Sequence, residues 1–449
     1  MEWWQILGLM FSSLVFLMAI GLPVAFSFGL LNVIFAFWMV GDSSLDWGFP
    51  FLHGEAGVLR MVAISSFSSI ATFAFVAVPL FILMGEIILH SGMATMAING
   101  VSKWVGKVPG RLGVMSILSG TVFAAASGSS MASVATIGST MVPEMHAHGY
   151  NKGLSTGVVA TSGALAVLIP PSGLMVIFGS ISQQSVGDLL IAGVIPGLIL
   201  STLLLGYTIG ISALRPSMAP AMEVADVNWM DRIVALREFI PIIVLVLLVI
   251  GSIFTGIATP TESAAMGAAG SLVLAAVYRR LNWHMLKVSF SSTAIVAGFS
   301  LFIITTSTAF SQILAFTQAA RGLSDFVTDL PLSPIVIILL MQLVILIMGG
   351  FMDSLSIMLI TIPIFFPVVN ALGFDLLWFS IVTMVNIELG LITPPFGLNL
   401  FVLKGVSPPD ITLMDIFKGI TPFVGLNIMT LLIVVFVPGT ATFLPGLMK

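Results

Sequence analysis

Long apolar runs, separated by short polar or Gly/Pro-containing segments, follow one another along almost the whole chain. In the first half they cover residues 7–26, 30–40, 73–88, 112–142, 154–178 and 189–214. In the second half they cover residues 239–255, 264–277, 293–313, 335–351, 355–371, 376–403 and 420–437. Because a helix needs about 20 apolar residues to cross a bilayer, the pattern predicts an all-α polytopic membrane protein with about 11 to 13 crossings or re-entrant segments.

Composition narrows the class of protein further. Hydrophobic residues make up 58% of the 449 residues and charged residues only 8%, whereas soluble domains carry roughly 25% charged residues. The lack of cysteine excludes disulfides and thiolate metal sites. The sequence contains no HExxH, P-loop or Rossmann pattern, and its net charge of −4 does not indicate a nucleic-acid partner. We therefore expect a protein of the lipid bilayer that is not an enzyme and has no resident cofactor.

The two halves of the chain carry matching motifs in the same order. In the first half, Ser127–Ser130 is followed by Pro143 and then by Pro170–Pro171. The corresponding features of the second half, at an offset of 224 positions (394 minus 170), are Gly349–Ser354, Pro367 and Pro394–Pro395. Gly/Pro-interrupted apolar segments at matching places are typical of secondary transporters. We predict two structural repeats, 1–214 and 238–449, joined by a polar linker at 215–237.

The charges of two equivalent segments predict that the repeats are inverted. Residues 100–111 contain three bases and no acid, whereas residues 324–335 contain two acids and no base. Because basic loops remain in the cytoplasm, the two segments are expected on opposite sides of the membrane. The amphipathic, basic segment 92–110 predicts a helix in the membrane interface. Val78–Pro79 is a candidate tip of a re-entrant hairpin, matched by Thr305–Ser307.

Small and hydroxyl side chains interrupt the apolar run 112–142 at Ser127, Gly128, Ser129 and Ser130. Unwound backbone and hydroxyl groups supply the oxygen ligands that hard cations prefer, and broken helices hold sodium in this way in transporters. We predict a sodium site here. The alternative is close helix packing through small residues.

The matching segment of the second half adds an acid, since it contains Gly349, Gly350, Asp353 and Ser354. A carboxylate at membrane depth costs several kcal/mol and is by default a functional candidate. We predict that Asp353 completes a sodium site or takes up protons. The alternative is an acid that backbone amides satisfy at a helix break.

The two Pro-Pro steps predict helix breaks that leave backbone groups unpaired. A helix that begins after such a break presents an N-terminus that favours an anion. We predict substrate-binding residues at Pro170, Pro171, Ser172, Thr393, Pro394 and Asn399. A purely structural kink is the alternative.

Other polar residues in apolar surroundings give weaker signals. Thr259 and Glu262 have the spacing of a capping box, which requires no further function. Glu86 and His90 lie one helical turn apart and either relay protons or mark the end of a span. Glu388 is a weaker candidate for a functional acid.

Several separate motifs have a familiar form. They are Ser-Gly-Ser-Ser at 127–130, Pro-Glu-Met at 143–145, Ile-Pro-Pro-Ser at 169–172, Ala-Thr-Pro-Thr-Glu at 258–262, Gly-Phe-Met-Asp at 350–353 and Ile-Thr-Pro-Pro-Phe-Gly-Leu-Asn at 392–399. In this order they resemble the large membrane subunit (DctM-like, M subunit) of TRAP transporters, the tripartite ATP-independent periplasmic transporters. The resemblance covers nearly the whole chain.

This resemblance implies an inverted-repeat transporter of the ion transporter superfamily, with two re-entrant hairpins and elevator-type movement. It implies broken helices at 127–130 and 349–354, with two sodium sites near the hairpin tips and these breaks. The implied partners are a separate small four-span membrane subunit (Q) and a periplasmic substrate-binding protein (P). Members of the family carry organic acids such as C4-dicarboxylates or sialic acid, usually with sodium as the coupling ion.

We therefore expect a secondary transporter subunit of the inner membrane that imports an organic anion with sodium. Two alternatives remain open at this point. One is a stand-alone sodium/dicarboxylate symporter of the same fold, which needs no binding protein. The other is an intramembrane hydrolase that uses Ser129 or Ser155.

Overall fold

The computed structural model describes residues 2–35, 38, 63–64, 66–68, 70–127, 129–221, 228–395 and 397–448. All the regular secondary structure in these ranges is helical, which confirms the predicted all-α class. The helices of the first half are α1 (Trp3–Ala19), α2 (Val24–Phe35), α3 (Ala77–His90), α4 (Met93–Trp104), α5 (Arg111–Ser127), α6 (Ser130–Ala147), α7 (Lys152–Leu168), α8 (Gly173–Ser182), α9 (Val186–Ala192) and α10 (Val194–Leu214). Those of the second half are α11 (Trp229–Phe254), α12 (Pro260–Val277), α13 (Trp283–Phe316), α14 (Ala319–Thr328), α15 (Pro334–Gly349), α16 (Ser354–Ala371), α17 (Leu376–Leu391), α18 (Leu398–Val406), α19 (Leu413–Phe436) and α20 (Gly439–Gly446).

Many of these helices are apolar enough for a membrane. Five of the described helices are long and apolar enough to cross one, or seven if each of two bent helix pairs counts as one span. Five shorter helices are also apolar. These twelve apolar segments of the described ranges fall within the predicted number of crossings or re-entrant segments.

Equivalent polar residues begin equivalent helices in the two halves. Ser129 caps α6 and Asp353 caps α16, each by accepting hydrogen bonds from backbone amides of the first turn. Asn151 and Asp375 do the same for α7 and α17. Each cap satisfies amides that have no partner within the helix. The 224-residue offset of the sequence therefore reappears in the positions where helices start.

The helices α6 and α16 correspond over their full length. Ser130–Ala147 and Ser354–Ala371 begin and end at equivalent positions. Each is followed by a glycine with positive φ, Gly149 at 74° and Gly373 at 76°. Only glycine adopts this conformation without steric cost, so each glycine turns the chain into the next helix.

The chain reverses between α5 and α6. A Cβ atom on Gly113 of α5 would lie 3.8 Å from Val158, and one on Gly138 of α6 would lie 3.6 Å from Val159. A continuous helix rises about 1.5 Å per residue and would separate Gly113 from Gly138 by roughly 37 Å. Both glycines nevertheless contact neighbouring residues of α7, so α5 and α6 form a hairpin, which we call hairpin 1.

The second half contains the equivalent hairpin 2, made of α15 and α16. The Asn386 Nδ2 atom of α17 donates to the Gln342 carbonyl oxygen of α15 at 2.6 Å. Further towards the start of α17, the Phe379 ring lies 6.0 Å from the Phe366 ring of α16, between centroids. Gln342 and Phe366 would be roughly 36 Å apart in a continuous helix. Their contacts with one short stretch of α17 require a reversal at the tip.

These reversals correct one expectation. The sequence predicts broken helices at Ser127–Ser130 and Gly349–Ser354, whereas the structure makes each segment a hairpin tip. The broken helices lie instead at the Pro-Pro steps, where α7 and α8 meet at an angle of 46°. Glycine and hydroxyl residues inside an apolar run permit either geometry, and hydropathy does not distinguish a reversal from a break.

Two smaller expectations are also corrected. Val78–Pro79 does not form a hairpin tip, because Pro79 lies in the first turn of α3, where a proline is tolerated. Its proposed counterpart, Thr305–Ser307, lies inside the continuous helix α13. The polar linker predicted at 215–237 also ends early, since α11 already begins at Trp229. The capping box of Thr259 and Glu262 is confirmed.

The two halves are interlocked through reciprocal pairs of helices. Helix α3 packs on α13, and also on α12, whose equivalent contact is that of α2 with α13. In the same way, the contact of α4 with α11 is equivalent to that of α14 with α1. Helix α6 contacts α18, and α16 contacts α8. In every pair one helix comes from each half.

Side-chain contacts link two of these reciprocal pairs, one through polar groups and one through aromatic rings. The Lys103 Nζ atom of α4 lies 2.9 Å from the Glu238 Oε1 atom of α11, and the Trp104 indole donates to the Arg232 carbonyl oxygen at 3.0 Å. At the equivalent place in the other half, the Trp3 ring of α1 lies 5.7 Å from the Phe326 ring of α14. The predicted amphipathic segment 92–110 thus contains a helix that braces α11.

Asp410, in the loop between α18 and α19, forms ion pairs with residues at the end of α6 and the start of α7. Its Oδ2 atom lies 2.9 Å from Lys152 Nζ and 3.2 Å from His146 Nε2. The hydrogen bond from Lys152 lowers the pKa of Asp410 below its ordinary value of 3.8. A carboxyl group whose pKa is lower in the folded state stabilises that state above its unfolded pKa.

We expect Asp410→Asn to lower the thermal unfolding midpoint slightly at pH 7, because an exposed ion pair contributes little. The difference from the wild type should shrink only as the pH falls below 3.8, through the lowered pKa of Asp410. Thermal unfolding of both proteins between pH 3 and pH 8 measures it. A difference that disappeared between pH 8 and pH 5 would contradict this assignment.

Candidate functional site

A cavity of about 340 Å³ lies where the two hairpin tips meet the first Pro-Pro break. Ser129 and Ser130 of hairpin 1 and Asp353 and Ser354 of hairpin 2 line it, together with Pro171. Residues that are 224 positions apart in the sequence therefore face one space. The arrangement brings together five of the predicted sodium and substrate residues, and Glu86, which the sequence offers as a proton-relay candidate, lines the same space.

Hairpin 1 presents the start of α6 to the cavity. The Ser129 hydroxyl accepts a hydrogen bond from the Ala132 amide at 3.4 Å, and the Ser129 carbonyl oxygen accepts one from the Ser133 hydroxyl at 2.9 Å. Ser130 is buried, with an exposed fraction of 4%. Gly128 lies outside the described residues, as does the side chain of Ser127. The predicted sodium ligands of this tip are thus described at two of four positions.

Hairpin 2 presents the start of α16, where Asp353 acts as the cap. Its Oδ2 atom accepts from the Leu355 amide at 3.1 Å and the Ser356 amide at 3.2 Å, and its Oδ1 atom accepts from the Ser356 hydroxyl. This is the alternative role considered for the acid, and it leaves the carboxylate at the cavity wall. Sodium binding by Asp353 stays a prediction.

The two glycines of hairpin 2 have different surroundings. Gly349 packs against Gly390 of α17 so closely that a Cβ atom on it would lie 2.6 Å from the Gly390 Cα atom. Gly350 lies in the turn that follows α15. Neither glycine lines the cavity. Gly349 therefore allows α15 and α17 to pack closely, and Gly350 forms part of the turn at the hairpin tip.

The residues beside the Pro-Pro steps are mostly withdrawn from the cavity. Ser172 is buried and caps α8, and the Thr393 hydroxyl donates to the Leu389 carbonyl oxygen at 2.6 Å. Pro170 and Pro394 do not line the cavity, although Pro171 does. Asn399 is buried, is not among the residues that line the cavity, and donates from Nδ2 to Ser130 Oγ at 2.7 Å. A direct role of these residues in substrate binding stays a prediction.

The electrostatics of the cavity wall combine two acids with helix N-termini. Glu86 and Asp353 line the cavity, and no Lys, Arg or His is among its described lining residues. The first residues of α6, α8 and α16 also face it. Helix N-termini carry partial positive charge, although Ser129, Ser172 and Asp353 already cap part of the first turn of these three helices. The cavity can therefore hold an anion together with cations, since the helix ends attract the anion and the acids attract the cations.

Apart from Glu86 of α3, sequence reasoning missed the walls that α3 and α13 contribute. Phe81, Ile82 and Leu89 of α3 and Val296 and Ser300 of α13 line the cavity. These residues belong to ordinary apolar helix faces and carry no motif. Only the packing of α3 on α13 across the two halves brings them to the site.

A family model of the DctM component of the tripartite ATP-independent periplasmic transporters matches residues 11–440. The C4-dicarboxylate TRAP transporter large permease protein DctM of Rhodobacter capsulatus is 34% identical over 455 residues, which cover 98% of this chain and 99% of that protein. The sialic acid TRAP transporter large permease protein SiaM of Vibrio cholerae is 31% identical and covers 94% of this chain and 97% of its own length.

Two further comparisons concern size and fold. The isethionate TRAP transporter permease protein DctMQ of Oleidesulfovibrio alaskensis is 31% identical, and the matched region covers 98% of this chain but 66% of that protein. The crystal structure of the Alcanivorax borkumensis YdaH transporter superposes with a TM-score of 0.64 at 13% identity, over 92% of this chain and 98% of that one. The latter likeness concerns the fold alone.

These relatives are named as transporter permeases, not enzymes, so the hydrolase alternative is not retained. The apolar helices and the family match make the protein a multi-pass membrane protein. By a match that extends over residues 11–440, the chain belongs to the DctM family of TRAP transporter large permease subunits.

Proposed function

We propose that this chain is the permease subunit of a tripartite transporter that imports a small organic-acid anion, driven by a sodium gradient. The observation that carries the proposal is a cavity, among the described residues, that both hairpin tips and the N-terminus of α8 line together. Its volume of about 340 Å³ lies at the lower end of the roughly 300–1,000 Å³ range of small-molecule sites. Relatives named for C4-dicarboxylate, sialic acid and isethionate also suggest an anionic substrate.

The charges of the cavity support coupling to a cation. Two acids and no described base face the space, so an anion that enters without cations meets like charge. The membrane potential opposes it as well, at about 2.3 kcal/mol per charge per 100 mV. Co-bound sodium ions remove both barriers, and the oxygens at the hairpin tips are suitable ligands for them.

The reciprocal helix pairs support a description as two inverted repeats, 1–214 and 238–449. An approximate two-fold relation accounts for each pair having an equivalent with the halves exchanged. We further propose an elevator-type movement, in which the hairpins and the broken helices α7–α8 and α17–α18 move together against a frame that includes α3, α11, α12 and α13.

The proposed partners follow from the family. A periplasmic binding protein delivers the substrate, and a separate small membrane subunit completes the unit in the inner membrane. The permease DctMQ is named as a combined protein, so the small subunit is not separate in every relative. A stand-alone symporter of the same fold is the functional alternative, and it needs no binding protein.

Uptake into proteoliposomes that contain this chain and its small subunit tests the proposal. We expect uptake of a labelled C4-dicarboxylate, sialic acid or isethionate only when an inward sodium gradient and the matching binding protein are both present. Uptake that needs no binding protein would establish the stand-alone symporter. Uptake that is independent of sodium, with choline as the replacement cation, would overturn the coupling.

A further inference from the structure

A second cavity lies at the base of hairpin 1, at the end away from the tip, and we call it the basal cavity. Its volume is about 380 Å³, and its walls are the start of α5, the end of α10, Tyr150 and part of the linker that follows α10. The three bases of residues 100–111 predict that this end of the hairpin faces the cytoplasm. The proposed transport of an organic anion makes no use of this space.

The basal cavity has a positively charged wall. Lys107 and Arg111 line it, and no Asp or Glu is among its described lining residues. Arg111 is the first residue of α5, so the positive end of this 17-residue helix borders the same space. Arg111 donates from Nε to the Val105 carbonyl oxygen at 2.9 Å and from Nη2 to the Ser102 carbonyl oxygen at 2.7 Å. These bonds fix the guanidinium group and use two of its five N–H donors.

Ser212 of α10 adds a buried hydroxyl to this wall. Its exposed fraction is 3%, and its Oγ atom has no hydrogen-bond partner within the described ranges. Helical hydroxyls commonly donate to the carbonyl oxygen four residues earlier, as those of Ser116 and Thr202 do. The Ser212 hydroxyl points elsewhere, since its Oγ is the atom nearest to a Cβ placed on Gly110, directly before α5. A buried hydroxyl without a partner is costly, and an anion beside the start of α5 would accept its hydrogen bond.

The second half lacks the chemistry of the basal cavity. Phe374 stands where the first half has Tyr150, and both follow directly on a glycine with positive φ. Residues 330–335, around the start of α15, carry no charge. The same turn therefore forms without these polar groups. The preference of basic loops for the cytoplasm accounts for the charges alone, but it does not account for the buried hydroxyl of Ser212.

The basal cavity lies between two connections to α11. Residues 105–110 join α5 to α4, which packs on α11, and residues 215–228 join α10 to α11 itself. The described part of the second connection is packed against the start of α7, because the Asn151 amide donates to the Met218 carbonyl oxygen at 2.9 Å. A ligand in the basal cavity would therefore contact both connections.

We propose that the basal cavity binds a phosphate-bearing anion. Arg111 and the first turn of α5 supply the positive charge, and Ser212 supplies a hydroxyl donor. Helix starts and arginine side chains are suited to phosphate oxygens. The ligand is either the head group of an anionic phospholipid of the cytoplasmic leaflet or a soluble phosphate compound, since both present these oxygens. The proposal goes beyond the transport function and does not depend on it.

Thermal unfolding of the delipidated chain with its small subunit tests both sources of the ligand. In detergent, potassium phosphate is titrated against potassium chloride at constant ionic strength and pH 7. In nanodiscs of phosphatidylcholine, the fraction of phosphatidylglycerol is raised stepwise. A ligand that binds only the folded protein raises the unfolding midpoint, so we expect a saturable rise in at least one of the two titrations.

Ser212→Ala assigns this rise to the basal cavity. The variant removes a donor to a charged group, and it should raise the phosphate concentration or the phosphatidylglycerol fraction for half-maximal stabilisation by roughly tenfold or more. Without ligand it should be at least as stable as the wild type, because the lost hydroxyl has no partner in the described structure. Thr208→Val is the matched control. Thr208 Oγ1 is also buried without a partner on α10, but Thr208 does not line the basal cavity, so this variant should respond as the wild type.

Arg111→Gln should abolish the response, and Ser212→Ala keeps the proposal testable if the loss of the Arg111 hydrogen bonds prevents folding. A rise with inorganic phosphate that Ser212→Ala weakens would identify a soluble phosphate compound as the ligand class. A rise with phosphatidylglycerol alone, weakened in the same way, would identify a lipid head group. The absence of a rise in both titrations, or a rise that Ser212→Ala leaves unchanged, would overturn the proposal.

Discussion

Replacing Asp353 with asparagine is expected to raise the sodium concentration for half-maximal uptake by roughly tenfold or more, which corresponds to about 1.4 kcal/mol of lost binding free energy. Asparagine caps a helix about as well as aspartate, so α16 should begin as before. The variant therefore removes the charge at the cavity wall while it keeps the hydrogen bonds to the Leu355 and Ser356 amides. Uptake at a series of sodium concentrations, together with thermal unfolding, measures both properties.

Asp375→Asn is the matched control for this experiment. Asp375 caps α17 with hydrogen bonds from the Leu377 and Trp378 amides, at 2.7 Å and 3.2 Å, but it does not line the cavity. Its replacement should change neither sodium dependence nor stability. Asp353→Ala should additionally destabilise the protein by about 1 kcal/mol through the lost cap. If Asp353→Asn kept the sodium dependence of the wild type, Asp353 would serve only as the cap of α16 and would not bind sodium.

Gly390→Ala is expected to abolish most uptake by displacing the tip of hairpin 2. A Cβ atom at this position would lie 2.6 Å from the Gly349 Cα atom and 3.1 Å from its carbonyl carbon. Backbone atoms cannot rotate away as a side chain does, so α15 and α17 must move apart, at a cost of about 1–3 kcal/mol. Because Gly349 leads directly into the tip, Asp353 moves with it. Sub-ångström placement matters at such sites, and we expect uptake to fall by roughly tenfold or more.

Gly425→Ala on α19 provides the comparison, since a Cβ atom there would meet nothing within 4 Å. This control should retain both uptake and stability, and alanine in place of glycine favours the helix slightly. Uptake and the thermal unfolding midpoint should be measured for both variants. If Gly390→Ala transported at the wild-type rate, the close approach of α15 and α17 would not position the tip.

The sequence predicts the all-α class, the positions of both interrupted segments and the presence of Asp353 at one of them. These features depend on local chemistry, because apolar runs, glycines, prolines and capping residues act within a few positions of the chain. The capping box at Thr259 and Glu262 is confirmed for the same reason.

The direction of the chain after each interruption depends on distant contacts. In hairpin 1 the chain reverses, so that Gly113 and Gly138 both reach α7, and no local pattern encodes that reversal. The link from Ser130 to Asn399 joins residues 269 positions apart. The cavity walls from α3 and α13 likewise arise from packing between the halves. Sequence patterns identified the residues with chemistry, and only the fold showed which of them meet.

The interlocking of the halves bears on how the protein is made. A ribosome delivers α3 and α4 to the bilayer well before α11 and α12, the helices on which they pack, have been synthesised. During that interval the faces that later meet must be exposed to lipid or to the insertion machinery. The first half can therefore insert but cannot reach its final packing while translation is incomplete. Assembly of the cavity is therefore a late event, because residues of the second half form part of its walls.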